Sequence, residues 1–186
     1  EKTAKLTNGD FWFQLYNPKD ENLRKDILRR AYDSGCKTLV LLADVPTFGY
    51  RAKEIISGLS MPPKMTLKNI IQILGKPNWA LNTLIYGQPR FKNLSPYIKK
   101  NMSMRQLGKF MDETFSGRIN PEIINPIREL WKGNLVLKGV SSVSDAKDAV
   151  KIGFDGIIVS NHGGRQLDAG NSSIKSLVKI LKHIDK

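Results

Sequence analysis

Four short apolar runs divide the chain, and each leads into a stretch whose apolar residues recur at helical spacing. Phe11 to Tyr16, Thr38 to Ala43, Leu135 to Lys138 and Gly156 to Ser160 read as strands. Thr38-Leu-Val-Leu-Leu42 and Gly156-Ile-Ile-Val159 are continuously apolar, as expected of parallel strands covered on both faces. After the first strand, Asn22 to Tyr32 sets Leu23, Ile27 and Ala31 on one helical face, with Asp20 placed to cap it and Gly35 to stop it. Ser144 is expected to cap a helix carrying Ala146, Ala149 and Val150, which Gly153 ends, and Ile174, Leu177, Leu181 and Ile184 mark a last helix. Roughly 90 residues separate the second and third strands, far more than an ordinary connection. That interval must hold an insertion, and Arg105 to Phe115 and Glu122 to Trp131 are the helices expected at its end.

Strand followed by helix, repeated in this way, implies an α/β fold with a parallel sheet, either doubly wound or closed into a barrel. The polar residues favour the barrel. Tyr16, Asp44, Lys138 and His162 all fall at or just beyond the C-terminal end of a strand, where a TIM (β/α)8 barrel assembles its site. A complete barrel takes about 250 residues. The reading is therefore an internal fragment with about four of eight βα units, spanning residues 1–186, interrupted by a basic amphipathic insertion at 55–104.

Charge alters this picture at the insertion. Of a formal net charge of +13, +10 lies between Tyr50 and Phe110, where eleven Lys or Arg face the single acid Glu54. The same stretch carries the helix-like run Leu67, Ile70, Ile71 and Leu74, and then Trp79, Leu81 and Leu84. Cations interleaved with apolar and aromatic residues suit an anionic membrane surface. The alternative is an insertion packed on its own barrel with a solvated basic face. No nucleic-acid-binding motif accompanies the charge, so nucleic acid is not expected as a partner. Composition is that of a soluble globular protein, with 40% hydrophobic and 25% charged residues. No apolar run approaches the roughly 18 to 20 residues that cross a bilayer, and the N-terminus lacks signal-peptide order. The expected location is cytoplasmic, with peripheral attachment to the inner face of the cytoplasmic membrane through the insertion. Cys36 is the only cysteine, which excludes an internal disulfide and a cysteine-based metal site; it reads as a small buried residue at a strand entrance. No metal is expected.

The chemistry concentrates in Gly156-Ile-Ile-Val-Ser-Asn-His-Gly-Gly-Arg-Gln-Leu-Asp168, where a strand ends in a glycine-rich turn bearing His162 and Arg165. Imidazole accepts a proton near neutral pH, and guanidinium holds a carboxylate through two parallel hydrogen bonds. Asp44 closes an apolar strand, where an unpaired carboxylate is costly. A hydrogen bond to His162 would relieve that cost and orient the ring.

This stretch resembles the active-site signature of the FMN-dependent 2-hydroxy acid dehydrogenases and oxidases, the family of glycolate oxidase, lactate dehydrogenase and mandelate dehydrogenase. Phe13-Gln14-Leu15-Tyr16, Asp44-Val45-Pro46 with Gly49 and Arg51, and Leu137-Lys138-Gly139 match further motifs of that family in order. The resemblance implies a barrel that uses FMN to oxidise an L-2-hydroxy acid, of lactate type, to the 2-oxo acid. It makes His162 the proton acceptor and Asp44 its partner, with Tyr16, Arg51 and Arg165 on the substrate. Gln14 would contact the flavin, and Lys138 would stabilise its anionic reduced form. Leu42 departs from the pattern, standing where many members place a flavin-touching threonine, and Tyr50 replaces a common basic residue. The electron acceptor, whether quinone, cytochrome or oxygen, stays open, and a homo-oligomer is expected. Motifs that in the family hold the flavin phosphate do not occur here, so the isolated chain is expected to bind FMN weakly and to turn over little. Two alternatives stand beside this reading. One is another FMN- or phosphate-binding barrel such as inosine monophosphate dehydrogenase, whose nucleophilic cysteine Cys36 could not supply from the wrong end of a strand. The other is a membrane-associating barrel that has lost catalysis.

Overall fold

The computed structural model describes residues 2–45, 52–58, 66–87, 91–99, 102–115, 118–167 and 169–184. The four apolar runs become β1 (Trp12–Leu15), β2 (Thr38–Leu42), β3 (Asn134–Val140) and β4 (Gly156–Val159), parallel and neighbouring in chain order. Each crossover is helical: α2 (Glu21–Asp33) follows β1, α7 (Pro121–Leu130) precedes β3, α8 (Val143–Ile152) joins β3 to β4, and α9 (Ser173–Leu181) follows β4. A short α1 (Lys2–Leu6) precedes the sheet. The result is an α/β assembly of βα units, part of a TIM barrel. Every residue of β2 is buried, as its unbroken apolar run required.

The helices pack against the sheet by their apolar stripes. Leu23, Ile27, Leu28 and Ala31 of α2 are buried, and the Asp20 carboxylate caps that helix by accepting from the Leu23 N–H at 2.7 Å. Ala146 and Ala149 bring α8 close to the strands. The side chain that caps α8 is that of Ser142, which accepts from the Asp145 N–H at 3.0 Å; the expected Ser144 lies inside the first turn instead. The last helix also departs from expectation. Ser176 and Ile180 face inward, whereas Ile174 and Leu181 are exposed, because a small serine at the contact lets α9 lie close on that side. α7 begins at Pro121 behind the cap Asn120 and contains Pro126. It delivers Trp131, 1% exposed, edge-on to the Tyr32 ring. A staple holds this junction: Arg128 donates to Asp155 at 2.9 Å and to the carbonyls of Trp131 and Gly133, and the Leu135 N–H donates to the same carboxylate at 2.7 Å.

By compactness the chain divides into residues 1–49 with 112–186, and residues 50–111. The second unit contains α3 (Ala52–Ile56), α4 (Leu67–Leu74) and α5 (Pro77–Tyr86), and most of α6 (Met104–Thr114). Thr66 caps α4, and Gly75-Lys76-Pro77 turns the chain into α5. Leu67, Ile70, Ile71 and Leu74 of α4 and Trp79, Leu81, Leu84, Ile85 and Tyr86 of α5 are all exposed, Leu84 to 82% and Tyr86 to 81%. Among the described residues no helix is long and apolar enough to cross a membrane.

Candidate active site

The site grows out of strand register. β2 pairs Leu42 with Lys138, and β3 pairs Lys138 with Ile158. Side chains two residues apart on a strand share a face, so Asp44, two beyond Leu42, and Ser160, two beyond Ile158, rise on either side of Lys138. A bulge completes the arrangement. The register shifts between Lys138 and Val140, leaving Gly139 as the extra residue at φ +103°. A Cβ there would lie 2.5 Å from the Asp44 Cβ and 2.6 Å from its backbone nitrogen. Only glycine lets the end of β2 approach so closely while keeping this backbone conformation.

Asp44 sits at the centre of the cluster with its side chain 7% exposed. Its Oδ1 lies 3.1 Å from His162 Nδ1, and its Oδ2 accepts from Lys138 Nζ and from Ser160 Oγ, both at 2.9 Å. Lys138 also donates to Ser160 Oγ at 3.2 Å. Burial raises the Asp44 pKa, but hydrogen bonds from Lys138, His162 and Ser160 together outweigh it and hold the carboxyl below the ordinary aspartate range. Asp44 is thus an anion, and an anion can only accept. His162 Nδ1 must therefore carry a proton toward it, which leaves Nε2 as the lone-pair nitrogen of the neutral ring. The pair can accept a proton at Nε2 and stabilise the imidazolium that results.

His162 stands in a left-handed backbone conformation, φ +56°, followed by Gly163 and Gly164 at φ +66° and +70°. Its N–H donates to Ser160 Oγ at 3.0 Å, which ties the turn to the strand end. Arg165 closes the turn, exposed, its N–H donating to the His162 carbonyl at 3.3 Å. Gln14 and Tyr16 lie on the exposed side of β1, opposite buried Leu15. Neither hydrogen-bonds to Asp44, Lys138, Ser160 or His162 in the structure. Arg51, Gly49 and Pro46 lie outside the described residues. Cys36 is buried before β2, at the opposite end of that strand from Asp44, and burial pushes its thiol pKa up. Among the described residues no group of three His, Cys, Asp or Glu could hold a metal ion.

The sequence reading brought Asp44, Lys138 and His162 forward and overlooked Ser160, the hydroxyl that joins them. The signal was present. Ser160 is the first polar side chain after an apolar strand and stands two residues before His162, on the strand face shared with Ile158.

Comparison with known proteins places the chain in a family. The family model described as FMN-dependent dehydrogenase matches residues 1–186. An L-lactate dehydrogenase of Bartonella tribocorum is 40% identical over 184 residues, covering 98% of this chain and 48% of its own length. One from Pseudomonas syringae pv. syringae is 38% identical over 185 residues, covering 99% and 48%. A solved monotopic membrane protein, (S)-mandelate dehydrogenase, superposes with a TM-score of 0.87 at 30% identity, over 98% of this chain and 48% of that one. A mandelate oxidase solved with an FMN adduct matches 92% of this chain and 39% of its own, with a TM-score of 0.58 at 26% identity. The chain spans about half the length of the curated relatives it matches. Matched by the family model from its first residue to its last, and aligned with L-lactate dehydrogenases over nearly all its length, the chain belongs to the FMN-dependent dehydrogenases.

Proposed function

We propose that the complete protein oxidises an L-2-hydroxy acid of lactate type to its 2-oxo acid, with His162 as the proton acceptor. The observation that carries this reading is the Asp44–His162 pair at the C-terminal edge of a parallel sheet, 3.1 Å apart beside a lysine. In this reading the substrate hydroxyl gives its proton to His162 Nε2, and Asp44 holds the ring and offsets the imidazolium charge. Arg165, three residues on in the same turn, clamps the substrate carboxylate; Arg51 supports that carboxylate or the developing negative charge. Tyr16 hydrogen-bonds the substrate from the end of β1.

FMN, when bound, supplies the acceptor for the two electrons that leave the substrate carbon. The fit to a flavin rests on Lys138. Two of its three N–H donors go to Asp44 and Ser160, and the third, without a partner among the described residues, is left for an acceptor above the strand ends, where a fixed cation favours an electron-rich ring. Gln14 would touch the same ring from β1. The electron acceptor after the flavin is a quinone, a cytochrome or oxygen, and the complete protein is a homo-oligomer.

We further infer that the 55–104 insertion attaches the protein peripherally to an anionic membrane surface on the cytoplasmic side. Residues 55–111 contain no acid, and the apolar residues of α4 and α5 are exposed between lysines. The similarity to a monotopic membrane dehydrogenase supports this placement.

The test of the oxidation is anaerobic mixing of the complete protein with L-lactate, then with L-mandelate, while flavin absorbance is followed. Bleaching by a 2-hydroxy acid is expected, slowed at least about a thousandfold in His162→Gln, on the scale of losing a general base together with its orientation. Unchanged bleaching in that variant sinks the reading.

A further inference from the structure

We propose that Ser160 is a positioning residue of this site, its hydroxyl setting both the backbone of the base and the share of the Asp44 charge that the base receives. Donor and acceptor arithmetic leaves the hydroxyl one orientation. Asp44 as an anion only accepts, while the Lys138 ammonium and the His162 backbone N–H only donate. The single Ser160 hydrogen therefore goes to Asp44 Oδ2 at 2.9 Å, and its two lone pairs receive Lys138 Nζ at 3.2 Å and the His162 N–H at 3.0 Å. Every bond the hydroxyl can make is spent on three groups of the site, so it acts through them and not on the substrate.

Two consequences follow for His162. Its positive φ is uncommon for a residue with a Cβ, and the Ser160 oxygen is the acceptor that holds its N–H in that conformation. The second is electrostatic. Among the described residues, Asp44 Oδ2 takes two donors, whereas Oδ1 takes the imidazole alone. Removing the serine hydrogen returns negative charge to the carboxylate and strengthens its pull on Nδ1–H, so the ring should hold a second proton more tightly. Among the described residues, the charged groups around the ring are Asp44 from the end of β2 and Lys138 from β3, with Arg165 on its own turn.

The proposal deepens the proposed oxidation and rests on it for its kinetic consequence, but the ring's titration reports on Ser160 without turnover. In a histidine-labelled sample of the complete protein, the His162 imidazole is assigned as the resonance that disappears in His162→Gln. In Ser160→Ala the His162 midpoint by NMR should rise by about half a pH unit, and in Ser160→Thr, which keeps the hydroxyl, it should return to the wild-type position. With L-lactate, Ser160→Ala should lower kcat about tenfold to a hundredfold and change KM less than about threefold, the split expected of a misplaced base. A Ser160→Ala ring titrating at the wild-type midpoint overturns the proposal, as does a folded Ser160→Thr chain that titrates like Ser160→Ala. Should the alanine variant fail to fold, Ser160→Cys, a weaker donor of similar size, replaces it: an upward displacement supports the role and none overturns it. If the wild-type flavin is reduced by neither L-lactate nor L-mandelate, the oxidation reading is lost and the titration still decides the role of Ser160.

Discussion

Gly139 shows how one residue without a side chain can shape a site. At φ +103°, with Asp44 atoms where a Cβ would stand, it admits no other residue without moving β2. Gly139→Ala should therefore cost about 2 kcal/mol or more in stability by thermal or urea denaturation, and should slow flavin reduction as Asp44 is pushed from His162. Asp44 makes a pH-dependent prediction. Its folded-state pKa is depressed, so the stability it contributes is present above the ordinary aspartate value of about 3.9 and is lost as pH falls through the lower folded value. Asp44→Asn should be less stable than wild type by about 1 to 3 kcal/mol at neutral pH, and urea titrations at successively lower pH should show that difference shrinking. Asp44, Lys138 and His162 were legible because a polar residue closing an apolar strand draws notice. Ser160 was not, because serine is unremarkable at a strand end until its partners are known.

At the level of elements, all four strands were visible in the sequence, and their ends were not. β3 was expected to stop at Lys138, yet pairing resumes at Val140 beyond the bulge, which no local pattern announces. Capping was similarly ambiguous. Ser142 and Ser144 both precede the apolar positions of α8, and what separates them is backbone: Ser142 is extended at φ −120°, ψ 155°, with its oxygen facing the Asp145 N–H. Ser142→Ala should cost about 1 kcal/mol in urea denaturation, and Ser144→Ala no more than about 0.5 kcal/mol. Equal losses would contradict the cap. The exposed side of α9 illustrates a different limit. Ile174, Val178 and Leu181 make the helix apolar over a wide arc, and periodicity alone could not say that Ser176 and Ile180 would be the residues against the sheet.

For the whole molecule, the sheet is open among the described residues: β1 pairs only with β2, and β4 only with β3. The relatives are about twice as long as the chain, and a barrel closes only when every strand has two neighbours. The basic unit carries a prediction at this scale. The complete protein should cosediment with vesicles containing phosphatidylserine and stay in the supernatant with phosphatidylcholine alone, and added salt should release it. Replacing Leu84, Ile85 and Tyr86 of α5 by serine should abolish sedimentation while leaving flavin reduction within about twofold, because the three side chains are exposed and exposed positions tolerate polar substitution. Sedimentation of that triple variant at the wild-type level would show that α5 does not attach the protein.

What the sequence determined by itself was whatever depends on near neighbours: the alternation of strand and helix, the basic segment, and a turn whose glycines and histidine carry a family signature. The tertiary structure alone decided which atoms meet. Asp44 finds Lys138, Ser160 and His162 across 94, 116 and 118 residues of chain. Those meetings depend on parallel register, on a bulge at Gly139 and on a left-handed turn at His162, and these are settled by the packing of strands against one another rather than by any residue's local preference.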